Sequence, residues 1–407
     1  MNVRSRSRPS RPAVGTLFSP RPVHRPMHVA VLGAGYAGLS TARRLESRLP
    51  PEVDLTVVND GPDHVLVHEV HRAVRRPAVA DAITIPLSDV LDRATVVDAR
   101  VESVDAEAGR ADLDAGETLS WEYGALCLGS ETAYYGIDGL SERATPLKSL
   151  SDAAAIRERF LALCDAGGGQ VVVGGAGLSG VQVAGELTAL AEERGLAVPD
   201  DIEVVLVEQL EEVAPNFPAN FRRAVREELT DRGVDVRTGT TVERVTDGGV
   251  ETDAGPLAYD QLVWTGGITG DDATGGDRPT VRADLRLTDR TFALGDAARA
   301  VDADGEPVPA SASAAIRMGK TAAENVGRLV DHELNGSADE FDPRLERYRF
   351  DVPGWLVSVG DGAVAQIGPT VLRGTAARAS KTTVGAGYLT SVGAVHNAVN
   401  LAEEELL

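Results

Sequence analysis

The sequence predicts an α/β fold with two parallel-sheet units and a smaller C-terminal region. Two observations carry this expectation. Residues 29–45, VAVLGAGYAGLSTARRL, run from a short apolar strand through Gly33, Gly35 and Gly38 into an alanine- and leucine-bearing helix. Residues 170–190, QVVVGGAGLSGVQVAGELTAL, repeat the plan with Gly175, Gly177 and Gly180. Each is followed by a second apolar strand with a polar end: LTVVND closes on Asn59 and Asp60, and EVVLVE closes on Glu208. In such a unit the first glycine makes the tight turn, the second lets a pyrophosphate approach the backbone, and the third lets the helix lie close on the sheet. Free N–H groups at the helix start then face the phosphates. Two units of this kind imply two nucleotides bound by two Rossmann-like domains.

Composition sets the outer limits. With 407 residues the chain is long enough for two or three domains with a substantial core. Its formal charge of −22 comes from 62 acidic against 40 basic residues. Among the basic residues the lysines are Lys148, Lys320 and Lys381. Such a surface repels nucleic acid and excludes it as a partner. The acidic, lysine-poor composition suits a halophile's salt-rich cytoplasm, although a GC-rich genome alone also favours arginine over lysine. Cys127 and Cys164 cannot make a disulfide framework and fit a reducing compartment. No apolar run reaches the eighteen or so residues a spanning helix needs.

Residues 1–26 carry Arg4, Arg6, Arg8, Arg11, Arg21 and Arg25 among prolines, with no acid and no signal-peptide apolar core. They are expected to be a basic, disordered arm or an upstream extension, because Met27 stands directly before the first strand. The first strand and helix end where Pro50 and Pro51 break the pattern. Asn59 and Asp60, at the end of the second strand, are positioned to bond adenosine ribose hydroxyls. His64, His68 and His71 then share one face if their segment is helical. Without HExxH or a cysteine pair the expectation there is a polar face near a cofactor or interface, with no metal. Residues 95–128 alternate as short strands around Gly109 and Gly116, with Cys127 among apolar neighbours.

A helix over 151–166 leads to the second glycine unit, and Glu208 makes the choice of nucleotide a matter of charge. Its carboxylate accepts both ribose hydroxyls of NAD and repels a 2′-phosphate, so NADH is preferred over NADPH, with Arg222 and Arg223 downstream softening the preference. A helix over 221–230, two strands within 233–245 and a strand at 261–267 follow. FALGDAA, at 292–298, puts Asp296 just beyond a strand end, where a carboxylate orders ribityl hydroxyls or water near the pyrophosphate. A helix over 310–331 comes next. After a polar linker, WLVSVGDGAVAQIG reads as two strands with a turn at 360–362, and the chain closes as weakly polar helix. Val384, Tyr388, Leu389, Val392 and Val395 supply an apolar face there for a membrane surface or a second subunit.

These stretches together resemble the FAD-dependent pyridine nucleotide-disulfide oxidoreductase superfamily, and within it the type II, non-proton-pumping NADH:quinone oxidoreductases. The resemblance rests on VLGAGYAGLSTARRL, the histidine segment before IPL at 85–87, LCLGSE at 126–131, VVGGAGLSGVQVAGEL, VWTGG and FALGDAA, and covers roughly residues 27–400. It implies a discontinuous FAD domain at 27–150 and 265–335, an inserted NADH domain at 151–264, and a C-terminal region at 336–407 for membrane attachment or dimer contacts. It carries Gly33, Gly35, Gly38, Gly129 and Asp296 over as FAD contacts, and Gly175, Gly177, Gly180 and Glu208 as NADH contacts. The cofactors it implies are FAD and NAD. The partners are NADH, a quinone, the inner face of the cytoplasmic membrane and a second copy of the chain. Flavin does the redox work, so no amino-acid nucleophile is required.

The chain departs from the family pattern where two glutamines usually mark the quinone side: the matching residues are Ser313 and Arg317. The glutamate usual after the second glycine motif is Gln182, and the histidine segment is short. Two other readings stand beside this one. Sulfide:quinone oxidoreductases share the plan but need a redox cysteine pair, and no cysteine follows Cys164. A slow sensor or assembly flavoprotein is motivated by the missing glutamines.

Overall fold

The computed structural model describes residues 27–114, 116–336, 341–352 and 354–406. The basic arm expected at 1–26 lies outside the described residues. The first sheet has five parallel strands in the order Thr291–Ala293, Tyr123–Leu126, His28–Leu32, Asp54–Asn59 and Thr95–Asp98. The second also has five parallel strands, ordered Thr145–Pro146, Gln261–Trp264, Gly169–Gly174, Ile202–Val207 and Asp235–Arg237. Their central strands are nearly continuous apolar runs because both faces are covered, as parallel sheets require. In both sheets the glycine-motif strand is in the middle. The chain builds outward on one side of it and then crosses to the other, so each sheet has a switch point beside its motif.

The strand Thr291–Ala293 returns to the first sheet only after the whole second sheet is complete, which makes the first unit discontinuous. Its return also brings in the long helix Ala312–Asn335. That helix lies parallel to the first motif helix, Tyr36–Arg48: Ser40 Oγ bonds the Ile316 carbonyl at 2.7 Å, and Arg48 reaches Asp331 at 2.7 Å. Small residues allow the close approach. A Cβ on Gly319 would stand 2.7 Å from the Ala37 carbonyl oxygen. Residues 101–120 form a three-stranded antiparallel sheet, Val101–Asp105, Arg110–Leu113 and Thr118–Ser120, which the alternating pattern anticipates.

Some expected elements differ in detail. The two strands expected within 233–245 do not pair with each other: Asp235–Arg237 joins the second sheet, and Val242–Thr246 forms a hairpin with Gly249–Thr252. The C-terminal hairpin Gly354–Val359 and Gly362–Ile367 has a third strand, Thr370–Arg373. The closing helix is two helices, Thr375–Ser391 and Val395–Leu406, divided at Gly393, whose φ of +89° suits a left-handed turn that glycine adopts without strain. The expected apolar face is divided. Leu389 is 0 % and Val392 6 % exposed, whereas Val384 at 65 % and Val395 at 56 % stay outside.

The C-terminal region straps the two units together. Its turn at Gly360 rests on the second motif helix, Leu178–Glu193, so closely that a Cβ on Gly185 would lie 2.4 Å from the Gly360 nitrogen. Its last helix holds the first unit through Asn397, whose Nδ2 donates to the carbonyls of Asp81, Ala82 and Thr84 at 3.0–3.2 Å. One hydrophobic core runs through all three parts, from Val31 and Val173 to Val357 and Leu389.

Candidate functional site

The two glycine turns are built alike. Gly33, at φ +94°, and Gly175, at φ +92°, reverse the chain after the motif strand. Their N–H groups bond the Val58 and Val207 carbonyls at 2.7 and 2.8 Å. Gly38 and Gly180 are contact glycines: a Cβ would stand 1.7 Å from the Gly33 oxygen in one and 1.8 Å from the Gly175 oxygen in the other. Gly35 and Gly177 have nothing within 4 Å of an added Cβ. The middle glycine of each triad therefore faces an open cradle that a side chain would fill. Neither motif helix has a side-chain cap at its N-terminus, whereas Ser149 and Ser311 cap the helices Leu150–Asp165 and Ala312–Asn335. Helix ends left uncapped in this way offer N–H groups and a positive dipole end to an anion.

The residues ending the second strands are equivalent as well. Asn59 Oδ1 accepts from the Ala34 N–H at 2.8 Å, and Glu208 Oε2 accepts from the Ala176 N–H at 2.8 Å. Asn59 spends its amide on the Gly61 carbonyl at 2.8 Å, so it ties the loop to the turn and leaves exposed Asp60 as the outward group. Glu208 is buried, and its other oxygen takes the Leu210 N–H at 3.0 Å. A carboxylate so held keeps lone pairs for further donors. Arg222 and Arg223 lie in the first turn and a half of the helix Ala219–Thr230.

Asp296 stands beside the first motif helix because Gly295 packs on that helix, where a Cβ would be 2.8 Å from that of Ala37. Around it stand residues the sequence reading did not single out. Ser130 Oγ donates to Asp296 Oδ2 at 3.5 Å, Lys148 Nζ donates to Ser130 at 3.0 Å, and Arg278 Nε donates to the Asp296 carbonyl at 2.6 Å. Burial lowers the Lys148 ammonium below the usual lysine value while Asp296 opposes the shift. Next to Ser130, Gly129 at φ +79° also faces open space. The one available signal was compositional: Lys148 is among the few lysines of an arginine-based chain.

The histidines do not share a helix face. His64 lies on the strand Asp63–Val65, His68 on the single turn Val67–Glu69 and His71 on the helix Val70–Arg75. His71 Nε2 meets Ser358 Oγ at 2.9 Å, and Gln182 Nε2 donates to the same hydroxyl at 3.4 Å, so this group joins the first unit, the second motif helix and the C-terminal sheet. His64 and His68 gather instead around Tyr36, the first residue of the motif helix. His64 Nδ1 donates to the Ala34 carbonyl at 2.8 Å, which leaves Nε2 to accept the Tyr388 hydroxyl at 3.0 Å. Burial pushes the His64 imidazole down to about 4. Tyr36 bonds His68 Nδ1 and stacks edge-on against His64 and Tyr388, with ring centroids 5.2 and 5.1 Å away.

Ser313 is exposed at the start of the long helix. Arg317, one turn on, is half-buried and donates to the Asp351 carbonyl of the C-terminal linker. Both cysteines are free and buried, Cys127 after a strand of the first sheet and Cys164 on the helix beside the second. Burial raises both thiols above the ordinary value, which disfavours the reactive thiolate.

Two parallel sheets with twin glycine cradles at their switch points, one interrupted by the other, define a tandem two-dinucleotide α/β oxidoreductase fold. The chain belongs to the pyridine nucleotide-disulphide oxidoreductase family, whose sequence profile matches residues 27–319. It is 26% identical over 344 residues to the type II NADH:quinone oxidoreductase of Staphylococcus aureus, covering 77% of this chain and 84% of that one. Its fold is similar to NDH2 from Plasmodium falciparum, solved in complex with NADH, with a TM-score of 0.77 at 14% identity over 93% of this chain and 98% of the other. It is also similar to the sulfide:quinone oxidoreductase of Aquifex aeolicus, with a TM-score of 0.74 at 17% identity over 91% and 92% of the two chains. Among the described residues no helix is long and apolar enough to cross a membrane.

Proposed function

We propose that this chain oxidises NADH through FAD and passes the electrons to a membrane quinone without pumping protons. The observation that carries the reading is the duplicated, uncapped glycine cradle on one continuous core, which suits a resident dinucleotide in one unit and a visiting one in the other. FAD, when bound, supplies the redox chemistry, accepting a hydride and releasing electrons to an acceptor. The protein's part is binding and access. Gly33, Gly35, Gly38, Asp60, Gly129 and Asp296 hold FAD in the unit formed by residues 27–150 and 265–335, and Asn59 fixes the turn that presents Asp60. The strand Thr145–Pro146 already pairs in the second sheet, so the chain crosses from the first unit to the second a few residues before 150. Gly175, Gly177, Gly180 and Glu208 receive NADH in the inserted unit at 151–264.

Glu208 presents negative charge where NADPH would carry a 2′-phosphate, so NADH is the preferred donor. Ser313 and Arg317 border the acceptor side, and residues 336–407 serve a second subunit or the inner membrane face. Exposed Val384 and Val395 support that contact. Stopped-flow spectra of the purified holoprotein test the reading. NADH should bleach the flavin band and a short-chain quinone should restore it in the same time range. Reoxidation far slower than reduction would instead favour a sensor or assembly role. The sulfide:quinone alternative draws on the similar Aquifex aeolicus fold. Two buried cysteines on different elements speak against it, and flavin bleaching by sulfide would revive it.

A further inference from the structure

The segment that crosses from the first unit to the second carries an exposed aromatic side chain on an unusual backbone. Tyr135 has φ +55°, in the left-handed region that bulky residues avoid. Ala214 and Leu285 also take positive φ, but both are fully buried and held by packing. Tyr135 is 64 % exposed, so short-range bonds hold its backbone instead. Trp264 Nε1 donates to the Ala133 carbonyl at 2.8 Å, the Ala133 N–H donates to the Gly267 carbonyl at 3.1 Å, and the Ile137 N–H closes a turn on the Tyr134 carbonyl at 3.0 Å. Just before them the strand Glu131–Thr132 pairs with Ile268–Thr269. These bonds lay the Tyr135 ring on the turn that follows the strand Gln261–Trp264: a Cβ on Gly267 would run into the Tyr135 hydroxyl.

That turn is one wall of the second crevice. In the second sheet the motif strand Gly169–Gly174 lies between Gln261–Trp264 and Ile202–Val207, so the switch point falls between the motif strand and Gln261–Trp264, where ligands of such sheets bind. Thr265 Oγ1 donates to the Gly174 and Gly175 carbonyls at 3.0 Å, and a Cβ on Gly175 would stand 2.6 Å from the Gly266 Cα. Glu208 follows Ile202–Val207, on the opposite side of the motif strand. A dinucleotide with its adenosine at Glu208 and its pyrophosphate at Gly177 therefore carries its second nucleoside across the switch point, over residues 265–267 and toward Tyr135. A few residues earlier the same connector touches the first cradle, where Ser130 Oγ donates to Asp296 at 3.5 Å. Tyr135 thus stands on the short path between the two cradles.

We propose that Tyr135 packs its ring on the nicotinamide end of NADH and holds that end in the crevice facing the first cradle. This rests on the NADH reading above. A reduced nicotinamide is flat and uncharged, so an aromatic face suits it better than an ion. Tyrosine supplies that face with little side-chain freedom to lose on binding. The strained backbone has a use on this account, since it turns the ring onto the Gly267 wall and away from the core.

Calorimetric titration of the holoprotein with two ligands tests this without turnover. One is tetrahydro-NADH, a non-reacting analogue of NADH, and the other is ADP-ribose, which lacks the nicotinamide. Y135A should bind tetrahydro-NADH at least about fivefold more weakly than the parent, the loss expected of one ring-on-ring contact, and should bind ADP-ribose equally well. Y135F keeps the ring and should bind both ligands as the parent does. Unchanged binding of tetrahydro-NADH by Y135A would overturn the proposal. So would an equal loss for ADP-ribose, which would make Tyr135 a support of the crevice wall, or a loss in Y135F matching that in Y135A, which would assign the effect to the hydroxyl. If the parent bound neither ligand, the NADH reading of the second cradle would fall instead.

Discussion

At the residue scale the two kinds of glycine make opposite predictions. Gly35 has φ −65° and open space where a Cβ would go, so alanine fits the fold and obstructs only the approaching phosphate. Gly35→Ala should keep its melting temperature and weaken FAD binding at least about tenfold in apoprotein titration. Gly38→Ala should instead lose about 3 kcal/mol or more of stability, since its Cβ meets backbone at 1.7 Å, and chemical denaturation reads that difference. His64 makes a pH prediction. Its imidazole is pushed down to about 4 from the ordinary 6.5, so between those values the unfolded chain binds the extra proton. Stability is therefore full above pH 6.5 and falls toward pH 4, by roughly 3 kcal/mol from this group. Thermal melts of His64→Gln across that window should show a shallower acid slope than the parent. The glycines were legible in the sequence because their spacing is a backbone requirement. Ser130, Lys148 and the Tyr36–His68 pair were not, because chain segments far apart in sequence bring them together.

Among elements, the same contrast separates the parallel strands from the C-terminal helices. Strands buried on both faces advertise themselves as apolar runs, and their acidic or amide ends mark the switch point. The C-terminal apolar positions instead looked like an outward face, because sequence spacing gives the period of a stripe and not the neighbour it meets. Leu389 and Val392 are buried, and adjacent Tyr388 meets His64 and Tyr36 of the first unit. The short helix Val70–Arg75 was hidden for a related reason: its charged residues serve an interior interface. Arg75 is 5 % exposed and reaches Glu193 and Asp361 at 2.6 Å and Glu186 at 3.7 Å, joining the first unit, the second motif helix and the C-terminal turn. Arg75→Met keeps most of the aliphatic packing and removes the cation facing three carboxylates. It should cost about 3 kcal/mol in denaturant unfolding, and a loss below about 1 kcal/mol would mean that the interface relies on packing alone.

For the whole molecule, charge is the property that the fold leaves unbalanced. The two-unit plan and its interruption follow from the order of motifs, but 62 acidic residues against 40 basic ones exceed what ion pairing can neutralise. Some of the pairing arginines stand at joints between units: Arg75 is one, and Arg373 gathers Glu227, Glu228 and Asp231 where the C-terminal sheet meets the helix Ala219–Thr230. The remaining acids repel one another across a compact body, which favours the expanded chain. Salt shortens the reach of that repulsion, from about 10 Å at 0.1 M to about 3 Å at 1 M. The melting temperature should therefore rise steadily as potassium chloride increases over this range. Joints built on a buried cation such as Arg75 are screened less than surface acids, so weakening of the ion pairs should not cancel the gain. Sucrose at matched osmolality, which acts by exclusion from the surface and carries no charge, separates screening from general compaction. A melting temperature that is flat or falling in chloride would show that the acidic surface is already relieved by local pairing, and would remove the physical basis for a salt-adapted chain.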